Sequence, residues 1–220
     1  MEFITSDTCS YVRTVISAIL PIAAAFLLCA TNSHAGTLTL VTTPAAQNAN
    51  DSVDWSHLGE NATILGASAS ATSGLGTDVT VGMAGPNSII AVVCPSSPCS
   101  WGNGTGGSTP FSAVDSLIWT SDAAAGGNGP VTVTTASNVS GAGALIQADG
   151  PGQFTAKIQA FSGKTSLGSF TEKSDSNGDP VYIGVKSKSG STINKVVFTI
   201  TACTGICTDF AIDRLNLNSP

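Results

Sequence analysis

The sequence predicts an all-β fold, an antiparallel two-sheet sandwich of jelly-roll type. Three observations predict it. Apolar and polar residues alternate with period two in several segments, turn signals separate those segments, and the composition combines abundant Thr and Val with only 10% charged residues. Beyond residue 36 no segment shows a convincing helical period. The low charge also argues against a disordered chain, which would be richer in charged residues and poorer in apolar ones.

Period-two alternation marks the strands in chain order. The alternating segments lie at residues 38–41, 79–83, 131–133, 154–160, 181–185 and 196–202. Each would present one apolar and one polar face, which is typical of antiparallel sheets with a single buried side. Between them lie dipeptides that favour tight turns, because Asn and Gly tolerate positive φ: Asn103-Gly104, Asn128-Gly129 and Asn177-Gly178. Residues 66–74 and 102–109 show no clear pattern.

The last strand contains a change of phase. Phe210 and Ile212 share one parity, whereas Leu215 and Leu217 share the other. Such a slip would turn the later side chains to the opposite face unless one extra residue is accommodated. We therefore expect a β-bulge near Asp213-Arg214.

Residues 1–35 predict a secretory signal peptide that is removed after export. An apolar run of about 16 residues, Val15 to Ala30, follows Arg13 and ends before a small-x-small cleavage site, Ser33-His34-Ala35. The run is shorter than the roughly 20 residues that span a bilayer, and Pro21 interrupts it. The alternatives are an uncleaved membrane anchor and a lipid anchor. We expect residues 36–220 to form a single domain outside the cytoplasm, extracellular or in the cell envelope, with no stable membrane span.

Charges are segregated along the chain, whose net charge is −6. Apart from His57, residues 36–156 contain only acidic ionisable side chains, and every basic residue of the expected mature chain lies beyond them. The acidic part could attract cations or serve solubility alone. Nucleic acid is not an expected partner, because phosphate binding needs clustered Lys or Arg.

The cysteines of the expected mature chain occur in two close pairs: Cys94 with Cys99, and Cys203 with Cys207. An even number in an exported protein favours disulfides. Two local bridges would each stabilise the fold by at most about 2 kcal/mol. A four-thiolate zinc site and cross-pairing between the pairs are the alternatives.

A short acidic turn is the candidate calcium site. Asp175, Asn177 and Asp179 carry side-chain oxygens at alternate positions, and calcium prefers such hard ligands. The turn lacks the length and the bidentate glutamate of an EF-hand loop. An Asn-Gly hairpin with solvated acids is the alternative, and no other cofactor is predicted.

Two tryptophans are candidate sugar-binding residues. Trp101 lies between the first cysteine pair and a Gly-rich segment, and an exposed indole could stack on a sugar ring. Trp55 is the second candidate. The alternative for Trp101 is packing against the sheet, and Trp119 is expected in the core.

No catalytic constellation stands out in the sequence. His57 is the single histidine after residue 35, and no Gly-x-Ser-x-Gly motif accompanies it. The carboxylate pairs Asp51/Asp54 and Asp209/Asp213 could in principle perform glycoside hydrolysis. We therefore expect a non-catalytic protein.

Several segments together resemble the ectodomains of bacterial PEP-CTERM-type exported proteins. They are Val53–Gly59, Ser116–Thr120, Gly141–Ala148, Phe154–Phe161, Tyr182–Val185 and Asp209–Leu215. The resemblance implies a jelly-roll-like sandwich closed by the strand at residues 209–215, and a link to exopolysaccharide-producing envelopes. It brings no catalytic residues. The family's sorting tail would follow the sandwich, whereas this sequence stops at Asn218-Ser-Pro220, so membrane sorting is not expected.

These observations favour an exported, non-catalytic envelope or extracellular module that associates with glycan or exopolysaccharide. The expected partner is an extracellular polysaccharide. The alternatives are a secreted polysaccharide hydrolase and a structural surface protein without a defined ligand.

Overall fold

Two antiparallel sheets face each other across an apolar core. The computed structural model describes residues 38–85, 88–93, 101, 111–112, 115–122, 129–190, 192–205 and 209–220. In chain order, the strands of these residues are β1 (Leu38–Val41), β2 (Asp51–Val53), β3 (Thr63–Gly66), β4 (Ser68–Thr72), β5 (Asp78–Met83), β6 (Ser88–Val93), β7 (Leu117–Asp122), β8 (Val131–Val139), β9 (Gly141–Ala148), β10 (Phe154–Ser162), β11 (Thr165–Lys173), β12 (Val181–Ser187), β13 (Ile193–Cys203), β14 (Phe210–Ile212) and β15 (Leu215–Asn218).

The strands divide into a nine-stranded and a six-stranded sheet. The larger sheet has the order β1-β12-β9-β14-β7-β6-β3, with β15 also paired to β9 and β2 paired to β15. The smaller sheet has the order β11-β10-β13-β8-β5-β4. The predicted all-β two-sheet sandwich is confirmed, and each of the six alternating segments forms a strand.

The alternation of β10 shows how the sequence builds the core. Phe154, Ala156, Ile158 and Ala160 are buried between the sheets, while the intervening residues are only partly buried. The same rule brings large side chains such as Phe198 into the core from β13. Burying one large apolar side chain contributes about 1.5–3 kcal/mol, so the facing layers supply the main stabilisation of the fold.

The predicted bulge near Asp213-Arg214 is confirmed by the register along β9. Ile212 of β14 pairs with Ile146, and Asn216 of β15 pairs with Gly143. Four steps along one strand therefore oppose three along the other, so one extra residue is inserted. The bulge keeps Ile212 and the apolar side chains of β15 buried despite their different parity.

Two short helices occur among the described residues. In α1 (Pro44–Gln47), the Thr43 hydroxyl accepts a hydrogen bond from the Ala46 N–H, and Pro44 occupies the first turn. A 3-10 helix covers Trp55–Leu58 and is capped in the same way by the Asp54 carboxylate. Each helix has only four residues, too few to produce a helical period in the sequence.

Two local interpretations need correction. Residues 66–74 contain β4, an edge strand in which Ser68, Ser70 and Thr72 are exposed. The Asn177-Gly178 turn joins β11 to β12, which belong to different sheets, so it is a crossover rather than a hairpin.

All the described strands belong to one compact unit, His34–Pro220. The predicted signal peptide, residues 1–35, lies outside the described residues, as do the turns at Asn103-Gly104 and Asn128. In the part of the chain that the structure describes, no helix has the length and apolar character needed to cross a membrane.

Candidate functional site

Trp101 packs against the outer face of the nine-stranded sheet. Its side chain is 6% exposed and belongs to a second apolar cluster with Phe111 and Leu117, separate from the core between the sheets. Its indole N–H donates to Gln147 Oε1 at 3.0 Å, and the Gln147 amide donates in turn to the Gly178 carbonyl. Of the two interpretations of Trp101, packing against the sheet is the one observed.

Trp55 is buried in the core and is 1% exposed. Its indole N–H donates to the Asp213 carbonyl at 2.9 Å, which ties the 3-10 helix to the bulge. Neither Trp55 nor Trp101 therefore presents a ring face to solvent. Tertiary packing covers both indoles, so the structure does not support the predicted stacking on a sugar. Trp119 is partly buried and packs in the same cluster as Trp101.

Asp175 of the candidate calcium turn accepts hydrogen bonds from within the turn. The Asp175 carboxylate accepts hydrogen bonds from the backbone of Asp179 and from both the backbone and the side-chain amide of Asn177. The hydrogen bond from the Asp179 N–H has the largest effect, and together these bonds lower the pKa of Asp175. They form an Asx-type turn in which both Asp175 oxygens are engaged. Among the described residues, no three His, Cys, Asp or Glu side chains group in a way that could hold a metal.

The cysteine predictions fall mainly outside the described residues. Cys94, Cys99 and Cys207 lie there, whereas Cys203 ends β13 and is partly buried. The two local disulfides therefore stay predictions.

Asp51 has a structural role. It is 7% exposed, and its two oxygens accept hydrogen bonds from the Ser73 and Ser219 hydroxyls and from the Ser52 and Leu75 N–H groups. Burial opposes its ionisation, but these donors outweigh burial and lower the pKa of Asp51. The predicted pair Asp51/Asp54 therefore does not act as one site, because the Asp51 oxygens are fully engaged in joining β2 to a loop and the C-terminal segment.

Asp54 and Asp213 interact weakly through their charges, which sequence spacing did not reveal, and we call them the Asp54–Asp213 pair. Burial, with smaller contributions from Asp115 and Asp54, raises the pKa of Asp213 to about 6. Burial also opposes ionisation of Asp54, but hydrogen bonds from Ser56 and the charges of Arg214 and His57 prevail and lower its pKa. Arg214 contacts Asp54 at 3.9 Å, and His57 is exposed. The bulge places the backbone of Asp213 beside the 3-10 helix, where Trp55 donates to its carbonyl.

The outer face of the six-stranded sheet contains a groove over β4, β5 and β8. A cavity of about 420 Å³ is bordered by Ser70, Thr72, Asp78, Thr80 and Thr134. A second depression of about 250 Å³ shares Thr80 and Thr134 with the first. We call the two together the hydroxyl groove.

The register of the strands aligns the side chains of the hydroxyl groove. Ser70, Thr80 and Thr134 lie opposite one another across three strands, and all three are exposed. Beside this row, the Thr72 hydroxyl donates to the Asp78 carboxylate at 3.1 Å. Hydroxyl groups both donate and accept hydrogen bonds, so the groove can match a ligand that is itself covered with hydroxyls.

Gly82 opens the second depression. It lies between Ser68 of β4 and Thr132 of β8, and a Cβ at this position would come within 2.9 Å of the Ala67 carbonyl and of Ser68. A side chain there would both clash and fill the floor of the groove.

Comparison of the chain with protein-family models, with curated proteins and with solved structures finds no match.

Proposed function

We propose that this protein is an exported, non-catalytic envelope or extracellular module that associates with polysaccharide through the hydroxyl groove. The observation that carries the proposal is the row of aligned hydroxyls at Ser70, Thr80 and Thr134, on an open sheet face beside the Asp78 carboxylate. Carbohydrate hydroxyls are the natural partners of such a surface, since each can donate to one protein group and accept from another.

The shallow shape of the groove favours a polymer over a single sugar. A neutral hydrogen bond that replaces one to water contributes only about 0.5–1.5 kcal/mol, and Trp55 and Trp101 are buried and cannot add stacking. A polymer compensates for weak individual contacts by offering many equivalent units near the same surface. The predicted signal peptide at residues 1–35 and the resemblance to PEP-CTERM-type ectodomains support a polymer of the cell envelope.

A double substitution tests the groove. Thr80→Val with Thr134→Val removes two aligned hydroxyls and keeps β-branched side chains of similar size, so the strands should persist. We expect retention of the protein on polysaccharide gels in affinity electrophoresis to fall at least about threefold, because two hydrogen bonds are lost.

Thr63→Val is the matched control, since Thr63 lies in the nine-stranded sheet. Its retention should equal that of the wild type. The proposal would be refuted if no neutral or acidic polysaccharide in the gel slowed the migration of the wild-type protein. It would also be refuted if the double variant were retained as strongly as the wild type.

A secreted polysaccharide hydrolase is the second candidate, and the Asp54–Asp213 pair favours it. Burial raises the pKa of Asp213, while hydrogen bonds and Arg214 lower that of Asp54, and opposite shifts of this kind are typical of the acid and base of a glycosidase. In this case the wild type would release reducing ends from a polysaccharide, and Asp213→Asn would lower the rate at least about 100-fold by removing the acid. Absence of turnover by the wild-type protein would exclude this candidate.

A further inference from the structure

A diagonal row of lysines crosses the same sheet face on the other side of β8 from the edge strand β4. Lys173 of β11 lies opposite Thr155 of β10, Lys157 of β10 lies opposite Thr199 of β13, and Lys195 of β13 lies opposite Phe161 of β10. Lys157 and Lys195 lie next to buried core residues along their own strands, so their side chains point to the outer face. Lys173 lies opposite Thr155, which alternates with the buried residues of β10, so Lys173 shares that face. We call Lys173, Lys157 and Lys195 the lysine row.

The register sets the spacing within the lysine row. Lys157 is one strand across and two residues along from Lys173, and Lys195 is one strand across and four residues along from Lys157. With about 3.4 Å per residue and about 4.8 Å between strands, the Cα atoms of successive lysines are ~8 Å and ~14 Å apart. The row therefore extends over roughly 20 Å in one direction.

The lysine row has no ion-pair partner among the described residues. Among the described residues, the ion pair within 4 Å is that of Arg214 with Asp54, on the other sheet. Glu172 of β11 lies opposite the buried Ala156 and so belongs to the inner side of the sheet. The acid on the outer face, Asp78, lies on β5 beyond β8 and accepts the Thr72 hydroxyl.

Polar neighbours surround the row. Gln159, Ser169, Thr171 and Thr199 lie on the same face of β10, β11 and β13. The Lys195 ammonium lies 4.1 Å from the centre of the Phe161 ring, and this cation–π contact holds it over the sheet. The face thus combines separated positive charges with hydroxyl and amide groups. It adjoins the hydroxyl groove, because Thr134 of the groove lies opposite Lys195.

We infer that the polysaccharide bound by this face is acidic, its carboxylate groups contacting the lysine row while its hydroxyls contact the groove. The inference rests on the proposed function and deepens it. Polyuronate chains carry their charges on separate sugar units, which suits lysines spaced well apart. Nucleic acid would need denser positive charge, since its phosphates follow one another closely and the net charge of this protein is −6.

The test is a triple variant, Lys157→Gln, Lys173→Gln and Lys195→Gln, measured by affinity electrophoresis on gels with polygalacturonate or a neutral galactan. At low salt we expect the triple variant to bind polygalacturonate at least about tenfold more weakly than the wild type, since three weak ion pairs act together. Binding to the neutral galactan should be unchanged. High salt should abolish the difference, because the charges are exposed.

A matched control removes the same charge elsewhere: Lys164→Gln, Lys186→Gln and Lys188→Gln. Equal loss in the control would overturn the inference, because net charge rather than the row would then govern binding. Wild-type binding to galactan but not to polygalacturonate would overturn the inference and leave the proposed function standing, whereas no binding to either would refute both. Displacement of polygalacturonate by single-stranded DNA at equal charge concentration would also overturn the inference.

Discussion

At the scale of single residues, the two most informative side chains are carboxylates with opposite environments. Asp51 is buried and receives four hydrogen bonds, whereas Asp213 is partly buried and accepts a hydrogen bond from the Arg214 N–H. Ionisation is favoured by donors and opposed by burial, so the same chemical group stabilises the fold in different pH ranges at the two positions.

We predict that Asp51→Asn lowers the free energy of unfolding by about 1–3 kcal/mol at neutral pH. The amide cannot accept from all four donors, and buried donors left without partners are costly. Because the pKa of Asp51 is lowered by folding, its contribution is present above the unfolded value of 3.8 and is lost as pH falls through the folded value. Urea unfolding of the variant between pH 2 and about pH 7 should show a weaker acid dependence than the wild type.

Glu60→Gln is the control for Asp51, since Glu60 is exposed. It should change the free energy of unfolding by less than about 0.5 kcal/mol. A stability of Asp51→Asn equal to that of this control would contradict the structural role of Asp51.

We predict the opposite effect for Asp213→Asn. The folded pKa of Asp213, about 6, exceeds the unfolded value of 3.8, so its contribution is present at low pH and is lost as pH rises through about 6. The variant should therefore be more stable than the wild type at pH 8 by roughly 1–2 kcal/mol, after allowance for partial exposure, and similar to it at pH 4. Thermal or urea unfolding at both pH values measures this. A variant less stable at pH 8 would contradict the assigned desolvation.

At the scale of elements, sequence patterns succeeded where the contrast between neighbouring residues was large. Alternation of Phe, Ile and Ala with Thr, Lys and Gln predicted β10, and the parity change after Ile212 predicted the bulge. β4 was missed because Ser and Ala differ little in size and polarity, which leaves a period-two pattern of low amplitude. The Asn177-Gly178 turn was located correctly, but a turn sequence does not state which sheet the next strand joins.

At the scale of the whole molecule, the candidate surfaces arise from strand order. Thr80 and Thr134 are distant in sequence and meet because β5 pairs with β8, and the lysine row forms because β10 lies between β11 and β13. The same pairing separates Asp78 from the lysines on one face. One acid from the first part of the sequence and three lysines from the second part thus lie on different strands of a single sheet.

The sequence by itself determined the sandwich class and about half of the described strands, since alternation is local and is clear only where neighbouring residues differ strongly in polarity. It also indicated the bulge, because parity is a property of neighbouring residues. Only the tertiary structure decided the burial of Trp101 and Trp55, the Asp54–Asp213 pair and the two polar surfaces. Their partners come from distant strands, as with Trp55 and the Asp213 carbonyl, and long-range register depends on the collective packing of both sheets.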